Sequence, residues 1–82
     1  MRLSELEYRF VQAETVFMQA VSINDSKLKK EYFFKIKNLR TKYCQKTGKI
    51  IDRVLVPPGM PYEKSKAYKI REEQGWPHPS EL

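Results

Sequence analysis

From residue 3 the chain repeats apolar side chains at spacings of 3, 4, 3, 4 and 3: Leu3, Leu6, Phe10, Ala13, Phe17 and Ala20. A side chain every 3.5 residues keeps to one face of an α-helix and cannot keep to one face of a strand, whose period is two. Ser4 followed by Glu7 has the pattern of a capping box, in which hydroxyl and carboxylate each satisfy an amide of the first turn. Leu3 and Tyr8 stand at the staple positions around it. The pattern predicts a helix over 4–22. Val11, Met18 and Val21 widen the stripe beyond a two-helix seam, so this helix should touch more than one neighbour. Large Phe10 and Phe17 alternate with small Ala13 and Ala20, which leaves room for the bulk of a second helix over the alanines.

Asn24, Asp25 and Ser26 form a short break of good N-cap residues, and a loop this short implies an antiparallel helical hairpin. In the second helix, predicted over 26–46, Leu28, Tyr32, Ile36, Leu39 and Tyr43 fall within about 80° of arc at 3.6 residues per turn. Gly48 is placed to end it in the left-handed conformation. A competing reading notes that Phe34 and Ile36 alternate with Lys35 and Lys37, so that 32–43 and 50–56 could pair as a small β-hairpin in an α+β fold. The helical template accounts for more positions over a longer span.

Ile50, Ile51, Val54, Leu55 and Val56 cannot all face water, yet the run is too short for an independent helix before Pro57 and Pro58. It is expected to be extended and packed across the hairpin, and the Pro-rich stretch to Pro61 then turns the chain. A third helix is predicted over 62–74, with Pro61 at its start and Gly75 just past its end, where Trp76 would pack back near Ile70 and Arg71. The expected fold is therefore mainly α: a hairpin (4–22 and 26–46), an extended apolar and Pro-rich segment (50–61) and a short third helix (62–74). Residues 1–75 form one small helical domain, and 76–82, with Pro77 and Pro79 around His78, form a mobile tail.

Catalysis needs groups that converge, and few are present. Cys44 and His78 are the sole residues of their kinds, so the chain cannot form an internal disulfide or assemble a structural zinc site from cysteines and histidines. None of the three glycines lies in a phosphate-cradling pattern, and Glu72 and Glu73 are neighbours that point about 100° apart on a helix. The expectation is a non-catalytic protein without cofactor or metal. Its N-terminus is charged within seven residues and no run approaches a membrane span of about 20 apolar residues, so it is expected to be soluble, cytoplasmic and without integral membrane association. With 82 residues its core lies near the lower limit for independent stability, which favours a partner or a homo-oligomer.

The net charge of +6 is unevenly spread: residues 1–26 carry −2, 27–53 carry +8 and 54–82 carry none. Ten of the sixteen basic residues fall in that middle stretch, against Glu31 and Asp52. Beside the predicted apolar stripe lie Lys29, Lys30, Phe33, Lys37 and Arg40, with Phe34 and Trp76 as further candidate partner contacts. Interleaved cations and rings suit a nucleic acid, whose phosphates take the cations and whose bases stack on the rings. The expected function is non-specific nucleic-acid binding through this flank. The alternative is a protein-interaction module, an accessory subunit or small inhibitor, docking on an acidic partner surface or on itself.

Overall fold

The computed structural model describes residues 2–82. Four α-helices follow in order: α1 (Leu3–Ser22), α2 (Ser26–Thr47), α3 (Ile51–Leu55) and α4 (Lys66–Gln74), with 3-10 turns at Tyr62–Lys64 and Pro79–Glu81. Phe17 meets Phe33 at one end of the α1/α2 pair and Glu7 meets Tyr43 at the other, so the pair is an antiparallel hairpin. The mainly helical expectation holds, and of the β alternative residues 32–43 lie inside α2 while 51–55 form α3.

Most of the hairpin's predicted faces form the core, while Leu3 and Val21 at the two ends of α1 stay exposed. Leu6, Phe10, Val11, Ala13, Ile36 and Tyr43 are buried together with Ile51, Leu55 and Ala67 from the later elements. Asp25 caps α2 by accepting the Leu28 amide at 3.0 Å. Gly48, at φ +71°, ends it as the left-handed residue that glycine adopts without a steric penalty.

The capping box does not form. α1 begins at Leu3 with no side-chain cap, and Glu7, only 4% exposed, turns into the fold. Its carboxylate accepts the Tyr43 hydroxyl at 3.0 Å and pairs with Lys66 at 2.6 Å. A buried carboxylate requires such charge-assisted partners, and these contacts fix both α2 and α4 to α1. Tyr8 likewise leaves the staple: its hydroxyl donates to Gln74 at 3.2 Å and its ring lies 5.1 Å from that of Trp76.

The expectation of an extended segment over 50–61 needs correction at 51–55, which form one helical turn. An extended chain would place Arg53 on the same face as Ile51 and Leu55. The helical turn buries Ile51 and Leu55 at 0% and 1% exposure and leaves Arg53 outside. The turn needs no independent stability because it is docked against α2 and α4. The third helix also differs: the 3-10 turn at 62–64 breaks at Ser65, whose hydroxyl then caps α4 by accepting the Tyr68 amide at 3.3 Å. Gly75, at φ +69°, closes α4, and the Trp76 amide returns to the Arg71 carbonyl at 3.0 Å.

A buried polar chain joins α4 to α1 and to the C-terminal residues. Arg71 is 2% exposed; its Nε donates to Thr15 Oγ1 at 3.1 Å and its Nη1 to the Tyr62 hydroxyl at 2.9 Å. Arginine has donors only, so the Tyr62 oxygen accepts here; with His78 as the neutral Nε2–H tautomer, the Tyr62 proton goes to His78 Nδ1, 2.8 Å away. His78 Nε2–H then donates to Glu72 at 2.9 Å, while the ring stacks on Tyr68 at 4.7 Å. The tail expected to be mobile is thus docked through its histidine.

Glu14 lies 3.9 Å from Arg71 Nη2, and burial raises its carboxyl above the ordinary value, with Arg71 only partly offsetting the effect. A raised carboxyl means the folded state holds this proton more tightly than the unfolded state, so its contribution to stability falls as pH rises through the interval between the two values. Glu14→Gln, neutral at every pH, is expected to be more stable than the parent near pH 7, with the difference closing towards about pH 4 in paired thermal melts.

Candidate nucleic-acid interface

On α2 the buried stripe from Leu28 to Tyr43 fixes what the other residues face. Phe34 stands roughly 160° from the centre of that stripe and points away from the core. It is 63% exposed. Phe33, one step nearer the core, is 47% exposed and touches Phe17 at 6.4 Å and Phe34 at 6.3 Å, edge-on to the latter. Lys30 and Lys37 stand four residues before and three after Phe34, which makes them its neighbours on the helix surface. The Lys37 ammonium also lies 5.6 Å over the Phe33 ring.

The predicted set does not hold together as a whole. Lys30, Phe33 and Lys37 share an exposed face and gain Phe34, while Lys29 sits nearer the core edge and is half-buried. Arg40 is engaged elsewhere: Nε and Nη2 grip Asp52 at 2.9 and 2.8 Å, and the guanidinium lies 5.6 Å over the Phe10 ring. The bond to Asp52 holds Arg40 more firmly protonated than usual, and its donor fork is spent on clamping α3 to α2. Trp76 packs on Tyr8, about nine residues or ~13 Å along α1 from Phe17, so it is not part of the same face.

Sequence reasoning missed a groove on the edge of the hairpin away from α3 and α4. Arg9 and Gln12 from α1 face Tyr32, Lys35 and Asn38 from α2 across Ala13, enclosing about 330 Å³. The signal was present but weak: Arg9 flanks the α1 stripe as Lys35 flanks that of α2, and nothing in the pattern reveals which side of a hairpin stays uncovered.

Among the described residues Lys27, Lys29, Lys30 and Lys37 form no ion pair, and the Lys35–Glu31 pair at 3.9 Å is more than half exposed. An exposed pair of that length contributes little and screens little of the face. No group of three or more His, Cys, Asp or Glu side chains gathers among the described residues, and no helix is long and apolar enough to cross a membrane. Around Phe33 and Phe34 the exposed face of α2 therefore carries Lys30 and Lys37 with no ion pair among the described residues. No protein-family model, curated protein or solved structure matches this chain, so the reading of the face rests on its own chemistry.

Proposed function

We propose that the protein is a non-catalytic, intracellular nucleic-acid-binding protein that uses the exposed face of α2, with Lys30 and Lys37 on phosphates and Phe34 against a base. The observation that carries this reading is Phe34, 63% exposed on the side opposite the core and set between two lysines that meet no carboxylate. Leaving such a ring in water forgoes roughly 1.5–3 kcal/mol of burial, which a stacking base recovers. The lysines release condensed counterions from the phosphate chain without reading sequence. Phe33, braced by Phe17 and Lys37, holds the neighbouring surface in place.

Fluorescence polarisation with labelled oligonucleotides at about 50 and 200 mM salt tests this, because the electrostatic contribution is strong at the lower and weak at the higher concentration. The parent is expected to bind at the lower salt and to weaken steeply at the higher. Phe34→Ala is expected to lose about tenfold in affinity with an unchanged melting temperature, because the ring stacks on ligand and on little of the fold. Absence of binding near 50 mM salt removes the proposal.

One observation favours a second reading. Val21 and Ile23, 51% and 69% exposed at the α1/α2 turn, extend the apolar surface beyond the phenyl rings. An acidic protein surface or a second copy of the chain would cover them better than a phosphate chain does. Sedimentation of the purified protein over a range of concentrations, and a pull-down from nuclease-treated lysate, would show a discrete complex in that case.

A further inference from the structure

Resting on the nucleic-acid reading, we infer that the open seam between α1 and α2 seats one nucleotide of a single strand, with its phosphate on Arg9 and Lys35 and its base edge on Gln12 and Asn38. The seam is open for a structural reason. α3 is held to α2 by the Arg40–Asp52 pair and α4 to α1 by the Arg71–Thr15 bond, both on the other side of the hairpin. On the open side the methyl of Ala13 is too short to fill the space between the helices, which leaves the groove of about 330 Å³.

The wall of this groove carries two cations and no carboxylate. The acid nearest Lys35 is Glu31, 3.9 Å from its ammonium and outside the wall. Low-dielectric walls of one charge sign concentrate the field, so an anion is the favoured occupant. Tyr32 supplies an aromatic surface, over which the Lys35 ammonium already lies at 4.3 Å. Gln12 and Asn38 each offer an amide donor and acceptor, the pair of functions that a base edge requires. Neither amide is engaged in a hydrogen bond among the described residues.

Continuity with the α2 face determines the class of ligand. Asn38 follows Phe34 by four residues, just over one helical turn or about 6 Å further along the same surface. A strand lying on Lys30, Phe34 and Lys37 therefore reaches the groove with its next units. A paired base has its Watson–Crick edge occupied and lies inside a stack, whereas an unpaired base is free to turn into the groove.

NMR titration of the 15N-labelled protein with a ten-nucleotide single strand, the matching duplex and AMP tests the inference, alongside polarisation binding of Arg9→Gln. The single strand is expected to shift the side-chain amide signals of Gln12 and Asn38, and the duplex to leave them in place. Arg9→Gln is expected to keep its circular dichroism, to bind about eightfold more weakly near 50 mM salt and to lower the salt slope by about 0.7, the share of one single-strand phosphate contact. Shifts at Lys30 and Phe34 with no movement at Gln12 or Asn38 would overturn the groove assignment and leave the α2 face standing. AMP alone shifting the groove signals as tightly as the strand would overturn the strand in favour of a free nucleotide. Absence of any shift or binding would remove both the groove and the reading it rests on.

Discussion

Replacing Arg71 with alanine is expected to destabilise the protein by about 3 kcal/mol, the range for removing one member of a buried charged network. In a chain of this size that lowers the melting temperature by about 15 °C. Three groups lose their partner at once. Thr15 retains its bond to the Val11 carbonyl at 2.8 Å, but the Tyr62 oxygen loses a charged donor and Glu14 loses its nearest cation. The loss extends to the tail, because Tyr62 is the residue on which His78 Nδ1 rests. Trp76 fluorescence reports this region, since its ring packs on Tyr8 beside the end of α4. Arg71→Met, which fills the same volume without a charge, is expected to recover about half of the deficit. A melting temperature within about 3 °C of the parent for Arg71→Ala would mean that α4 is held by its apolar contacts alone.

Converting Lys30 and Lys37 together to glutamine is expected to weaken single-strand binding about sixtyfold near 50 mM salt, and to lower the salt slope by about 1.4. Counterion release sets the size of the loss: each phosphate contact contributes about 0.7 to the slope, which at that salt amounts to roughly a factor of eight per lysine. Near 0.5 M salt the deficit shrinks to about threefold, so the effect identifies itself by vanishing as the electrolyte rises. Stability should be unchanged or slightly higher, because both ammonium groups sit in a stretch of like charge and neither forms an ion pair among the described residues. The parallel change Arg40→Gln is expected to act differently. It breaks a two-bond grip on Asp52 at the partly exposed edge of the α2/α3 contact, lowering stability modestly while leaving the salt slope in place, because Ile51 and Leu55 still anchor α3 in the core. A slope that responds to Arg40 and ignores Lys30 and Lys37 would move the binding face to the α3 side.

How far the sequence could be read varies by element. The hairpin was legible because two long segments repeat their apolar residues at a helical period, and Asp25 and Gly48 stand where helix ends need them. α3 was not, since five residues with a β-branched composition carry no period and their helix exists only against α2 and α4. Ser4 and Glu7 form a valid cap in isolation, yet Tyr43 and Lys66, 36 and 59 residues from Glu7, offer its carboxylate stronger partners. Likewise, helical spacing puts Arg40 beside Phe33 and Lys37, but Asp52 lies on a turn that the pattern did not predict.

The sequence alone determined that α2 is basic, that one of its faces is core and that Phe34 cannot share that face, because these follow from helical geometry and residue identity. Which of its charges remain available was decided by tertiary structure: docking α3 consumed Arg40, docking α4 drew in Arg71 and His78, and both left Lys30, Lys37 and the Arg9–Lys35 groove uncovered. The physical reason is that periodicity fixes direction around a helix axis, whereas neutralisation and burial depend on contacts between residues distant in the chain.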